Sequence, residues 1–125
     1  MAHLLLVALG GAIGAGLRHL VGLAAMRLLG TGFPWGTMFV NVAGSLAMGI
    51  LIAVLARRSG TPSEVRLFLA TGILGGFTTF SAFSLDVAVL WERGEAAAAF
   101  GYIMVSVVAS ILALFAGLWL IRSFA

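Results

Sequence analysis

Four apolar runs, each long enough to cross a lipid bilayer, leave this chain few ways to fold. A helix needs about 20 residues to span the hydrocarbon core. The runs extend from about Leu4 to Leu28, Trp35 to Ala56, Val65 to Trp91 and Ala96 to Ile121. Three short loops separate them, so the 125 residues leave no room for a soluble domain. Residues are 62% hydrophobic and 9% charged, and the mean hydropathy is +1.20. Soluble domains carry about a quarter charged residues, so this composition belongs to the bilayer. The expected fold is all-α integral membrane, a single four-helix transmembrane domain over residues 1–125. The first run reads as a spanning helix rather than a signal peptide, because no Lys or Arg precedes it and its apolar stretch continues too far. The absence of cysteine excludes disulfides and thiolate metal sites. All seven basic residues are arginine, and they form no patch of the kind that binds nucleic acid.

One stretch inside the third run resists being a plain membrane helix: Gly72-Ile73-Leu74-Gly75-Gly76-Phe77-Thr78-Thr79-Phe80-Ser81-Ala82-Phe83-Ser84. The Gly75-Gly76 pair adds backbone freedom, and Thr78-Thr79 adds two β-branched residues that fit a helix less well. A helix from Pro62 to Trp91 would be about 45 Å long at 1.5 Å per residue, against a hydrocarbon core of about 30 Å. It must therefore extend outside, tilt or break, and a break would fall in this stretch. Non-helical backbone at that depth is tolerated only beside protein or a water-filled path. Phe77, Phe80 and Phe83 repeat every third residue, which places them near one another on a helical surface. Freed carbonyls, hydroxyls and an aromatic row together point to an ion site. At the start of this run, Thr61 is the expected N-cap, with Pro62 at the first helical position and Glu64 completing a capping box.

The other runs carry polar residues in register. In the first, Gly10 and Gly14, and Gly11 and Ala15, are four apart, the spacing of close helix packing. Arg18 lies well inside the same run; it either snorkels to the interface or serves a vestibule that positions an anion. His19 beside it reads as a packing or interface residue. Pro34 is placed to start the second helix and Trp35 to sit at headgroup level. Thr37, Asn41, Gly44, Ser45 and Met48 share one face of that helix. In lipid the Asn41 amide must find partners, as an interhelical hydrogen bond or as a donor lining a pore. In the fourth run Tyr102, Ser106 and Ser110 make one stripe of hydroxyls, and Ala109, Ala113 and Gly117 make a neighbouring stripe of small residues. Hydroxyls can replace part of an anion's hydration without a fixed charge that would trap it, although membrane serines also often bond back to their own helix. Asp86, the acid within a spanning run, reads as an interfacial or paired carboxylate.

With these residues in order, the chain resembles the Fluc (CrcB-type) fluoride channels over nearly its whole length. The similarity is carried by Gly10-Gly11 through Arg18-His19, Gly36-Thr37-Met38-Phe39-Val40-Asn41 with Gly44, the Gly72–Phe83 stretch, and the Tyr102, Ser106, Ser110 spacing. The resemblance implies an antiparallel, dual-topology homodimer with two fluoride pores along the subunit interface. It implies a third helix broken at its centre, with backbone carbonyls of Gly75 and Thr78 from both copies holding a structural sodium ion. It implies that Phe80 and Phe83 present ring edges to fluoride, that Asn41 orients groups near them, and that Tyr102, Ser106 and Ser110 form a polar track with Thr37 and Thr79 nearby. Arg18 would lie towards the aqueous vestibule. The implied activity is passive fluoride export and fluoride resistance at a prokaryotic plasma membrane, the inner membrane in a Gram-negative cell.

Charge placement is compatible with dual insertion. If all four runs span, Arg57, Arg58, Arg66 and Arg122 share one side, facing Arg27 and Arg93, plus Arg18 if it reaches that interface. Four against two or three is a weak orientation bias. Two rival classes stand beside the channel. A small multidrug-type, proton-coupled exporter needs a membrane carboxylate, yet the first run has no acid and Asp86 lies towards a helix end. A non-conducting structural subunit explains the glycines but gives the hydroxyl stripe and phenylalanines no role. No nucleophile–base pair, metal-ligand cluster or phosphate loop points to an enzyme.

Overall fold

The computed structural model describes residues 1–58 and 60–124. Its first two helices are α1 (Ala2–Leu29) and α2 (Trp35–Arg57). The third span, Ser63–Glu92, is bent and comes in two parts. Its first part, α3 (residues 63–77), begins as α-helix at Ser63–Arg66, passes through a π-helix at Leu67–Leu74 and regains α geometry at Gly75–Phe77. The second part is α4 (Ser81–Glu92), and the last helix is α5 (Ala96–Phe124). These make four spans long and apolar enough to cross a membrane.

At two helix contacts, packing inverts the usual rule of large residues inside. Along α1 the buried positions are Gly10 and Gly14, while Leu5, Leu9, Ile13 and Leu20 are exposed. In lipid no hydrophobic gain distinguishes a helix interface from its surroundings, so contact area comes from small residues that let backbones approach. The contact of α1 with α3 shows this directly. A side chain at Gly10 would meet the Phe68 carbonyl oxygen at 2.6 Å, and one at Gly14 would collide with the Ile73 carbonyl. One at Gly76 would meet the Gly11 carbonyl oxygen at 2.6 Å. The α2–α5 crossing uses the same device. A methyl on Gly49 would strike the Leu114 carbonyl, and one on Gly117 would lie 2.5 Å from the Leu46 carbonyl oxygen.

The bundle ends are tied by arginines. Arg57 donates to the Arg122 carbonyl at 3.2 Å, which puts the ends of α2 and α5 together. At the other end Arg93 donates to the Gly32 carbonyl at 3.0 Å. Gly30 closes α1 with φ 81°, and its amide caps the Met26 carbonyl, a left-handed position that suits glycine.

Two local expectations are corrected. Thr61 is not the cap of the third span: its hydroxyl donates back to the Arg58 carbonyl at 3.3 Å. Pro62 holds the cap position with extended backbone, no side chain caps that end, and Glu64 accepts from Ser63 instead. Phe77, Phe80 and Phe83 also do not form one row. Regular helix stops at Phe77, and the extended backbone of Thr78 separates it from the other two, so its ring turns towards Gly44 of α2.

Candidate functional site

The bend at residues 78–80 builds the site. Thr78 is extended (φ −89°, ψ 160°) and Phe80 is already helical before α4 begins. The Thr78 amide and hydroxyl both donate to the Leu74 carbonyl, at 3.1 and 3.0 Å, which fastens the end of α3. Across the gap Asn41 of α2 grips Thr79 twice. Its Oδ1 accepts from the Thr79 amide at 2.8 Å and its Nδ2 donates to the Thr79 carbonyl at 2.9 Å. Thr79 Oγ1 in turn accepts from the Ala82 amide at 3.1 Å, a side-chain cap for the start of α4. Each such bond contributes about 0.5–1.5 kcal/mol net, and leaving a buried member unpaired costs about 1–3 kcal/mol. The non-helical turn is therefore held by side chains from outside it.

Those bonds have a consequence for the carbonyls. An unbroken α-helix would direct the Thr79 amide to the Gly75 carbonyl and the Ala82 amide to the Thr78 carbonyl. Both donors are engaged elsewhere. Gly75 itself is exposed, and an added side chain would sit at ordinary contact distance from the Ala70 carbonyl oxygen, 3.6 Å away. Gly76, by contrast, has its carbonyl taken by Arg18 Nε at 3.2 Å.

Beside the bend runs a groove of about 480 Å³. It is lined by Asn41, Gly44, Ser45 and Met48 from α2, by Gly75, Thr78, Thr79, Phe80 and Phe83, and by Ser106, Val107, Ser110 and Leu114 from α5. Among the described residues, no arginine lines it. Phe80 is 77% exposed and Phe83 only 7%, with ring centroids 5.6 Å apart. The serine hydroxyls are the unusual feature. Membrane serines commonly donate back to the preceding turn. Among the described residues, neither Ser106 Oγ nor Ser110 Oγ has a hydrogen-bond partner, although both atoms are buried.

The structure brings most of the sequence-derived site residues together, but not all. Asn41, Gly75, Thr78, Thr79, Phe80, Phe83, Ser106 and Ser110 share the groove. Tyr102 continues the α5 stripe but does not line it. It is fully buried, with its ring 5.0 Å from Phe83 and its hydroxyl donating to Asp86 Oδ2 at 2.9 Å. Thr37 lies behind the bend, lining a smaller cavity of about 220 Å³ with Arg18, His19 and Thr79. Arg18 is thus half-buried against the bend rather than extended along α1. Two contributors were not singled out as site residues from sequence. Asp86 holds Tyr102, and Phe33 packs edge-on against the Tyr102 ring at 5.4 Å. Spacing along α5 could not show either, since both partners lie elsewhere in the chain. The hint for Asp86 was a carboxylate inside a spanning run, which needs a partner. Among the described residues, no three His, Cys, Asp or Glu side chains come together as a metal site.

Comparison with known proteins agrees over nearly the full length. Residues 5–118 match the family described as CrcB-like protein, Camphor Resistance (CrcB). A protein of Chelativorans sp. (strain BNC1), named fluoride-specific ion channel FluC, is 68% identical over 98% of both chains. Proteins of the same name from Mesorhizobium japonicum and Hyphomonas neptunium are 64% and 62% identical, each over 98% of this chain. These relatives are bacterial and the chain has four membrane-length helices, which makes it a multi-pass protein of a prokaryotic plasma membrane. From residue 5 to residue 118 the sequence carries the pattern of one family, and the chain belongs to it: the CrcB-like, or FluC, proteins.

Proposed function

We propose that this chain forms a fluoride-selective channel that lets fluoride leave the cell passively. The observation that carries the reading is the groove in which the unpartnered Ser106 and Ser110 hydroxyls stand beside Phe80 and Phe83. A small anion entering a membrane must replace its water with donors, and hydroxyls do so without a fixed positive charge to hold it. Aromatic rings have positive edges, so Phe80 and Phe83 can meet an anion edge-on. The names of the relatives supply the anion's identity. Hydrogen fluoride crosses membranes as a neutral acid and dissociates inside, after which a negative-inside potential drives the anion out through an open path.

The groove is open on the face of a single copy, with Phe80 mostly exposed and Gly75 facing outward. A second copy in the opposite orientation would cover it, and two-fold symmetry would make two equivalent paths. On this reading the bend is the break of the third helix. The Gly75 and Thr78 carbonyls fit a structural sodium ion: they are hard oxygens, their helical donors are engaged elsewhere, and Gly75 is exposed. Sodium bound there would supply a positive charge joining the two bends, while the fluoride path runs beside it. A proton-coupled exporter is less well supported, because Asp86, which lies towards the end of the third span, is engaged by Tyr102.

Liposomes holding the purified protein test the proposal. Under a potassium–valinomycin potential, fluoride efflux is expected to be rapid and chloride efflux slight. Absence of fluoride efflux from a verified, sodium-containing dimer would overturn it.

A further inference from the structure

The two carbonyls left open at the bend owe their freedom to two particular side chains. Asn41 Oδ1 takes the Thr79 amide at 2.8 Å, and Thr79 Oγ1 takes the Ala82 amide at 3.1 Å. Those are the amides that an uninterrupted helix would give to Gly75 and Thr78. Asn41 also holds the Thr79 carbonyl at 2.9 Å, so Thr79 is clamped on both sides as it would be by a neighbouring strand. Among the described residues, other donors beside the bend are engaged as well. The Thr78 hydroxyl and amide are turned to Leu74, and Arg18 is bound to Gly76.

Resting on the cation reading above, we infer that Asn41 and Thr79 are positioning residues for the cation site: by accepting these amides, they keep the Gly75 and Thr78 carbonyls available. This role is separate from lining the anion groove, which both residues also do. It depends on an acceptor oxygen at each position. Thr79→Val keeps the shape but removes the acceptor, so the Ala82 amide can return to the Thr78 carbonyl. Asn41→Leu likewise lets the Thr79 amide return to Gly75. Thr79→Ser keeps the oxygen and should keep the site.

The test uses the purified full chain in detergent, with sodium chloride exchanged for N-methylglucamine chloride at constant ionic strength. The thermal unfolding midpoint and the dimer fraction are followed against sodium concentration. Wild type is expected to gain stability with sodium. Thr79→Val and Asn41→Leu are expected to raise the half-saturating sodium concentration roughly tenfold or more, the scale on which groups behind metal ligands act. Thr79→Ser is expected to titrate with wild type. If Thr79→Val titrates like wild type, the inference is overturned and the cation reading stands. If Thr79→Ser shifts as far as Thr79→Val, the acceptor oxygen is not the cause and the inference fails. If Thr79→Val does not fold, Asn41→Leu carries the test: half-saturation at the wild-type sodium concentration overturns the inference. No sodium response in wild type overturns the cation reading, and this inference with it.

Discussion

Gly75 and Gly76 are neighbours in sequence, yet their surroundings differ completely. Gly76 is pressed against α1, where a side chain would meet the Gly11 carbonyl oxygen at 2.6 Å. Gly75 looks away from α1 into the groove, and an added side chain would have ordinary contact distance. One face of the third span is thus closed backbone against backbone, with the Gly76 carbonyl also occupied by Arg18. Among the described residues, the other face leaves the Ser106 and Ser110 hydroxyls without hydrogen bonds and the Phe80 ring mostly exposed. The closed face explains stability. The open face adds little to it; on the proposed reading its polar atoms serve a second copy and an ion. A buried hydroxyl without a bond costs about 1–3 kcal/mol, so a chain that keeps two of them gives up stability at that place.

Substitutions can break that contrast. The largest effect belongs to the closed face. Gly76→Ala and Gly14→Ala push a methyl into fixed backbone, and overpacking costs about 1–3 kcal/mol or more. The yield of monodisperse protein and its thermal midpoint should both fall sharply. Gly75→Ala should leave the fold of the chain intact but, on the proposed dimer reading, weaken dimerisation, measured by size exclusion against protein concentration. Equal damage from Gly75→Ala and Gly76→Ala to the helicity of the monomer would erase the distinction between the faces. Next in size is Tyr102→Phe. It removes the donor to Asp86, and leaving that carboxylate unpaired costs about 1–3 kcal/mol, readable as a lower thermal midpoint. Smallest is Gly11→Ala, whose side chain would meet nothing within 4 Å and should shift stability by less than about 0.5 kcal/mol.

How much of this was legible in sequence depended on how far each signal reached along the chain. Span number and limits follow from hydropathy, a local property. The structure extends the first run only from Leu4 to Ala2 and from Leu28 to Leu29. The weakness at Gly75 to Thr79 was visible as glycines followed by β-branched residues, and that is where the third span bends. The π-helix of Leu67–Leu74 was not foreseen, although it too carries a glycine between β-branched residues, Thr71-Gly72-Ile73. Small-residue pairs at four-residue spacing identified packing stripes but not which members would be jammed: Gly10 and Gly14 are buried, whereas Gly11 has room. Partners far along the chain were the least legible. Tyr102 sits in the Ser106 and Ser110 stripe by spacing, yet its longer reach carries the hydroxyl to Asp86, 16 residues away in sequence. Thr61 failed as a cap because the helix begins one residue later than expected, which leaves Pro62 in the cap position and Thr61 outside it.

The central claim is that the open face conducts and that its serines do so directly. The most direct measurement is the fluoride efflux rate of the Ser106→Ala, Ser110→Ala double variant in liposomes, alongside its thermal midpoint. Neither hydroxyl has a bond to lose, so the midpoint should hold or rise by about 1 kcal/mol of added stability. Efflux should fall roughly tenfold or more, since each missing donor raises the barrier by about the worth of one hydrogen bond. A double variant that folds as well as wild type and conducts fluoride at the wild-type rate would contradict the account.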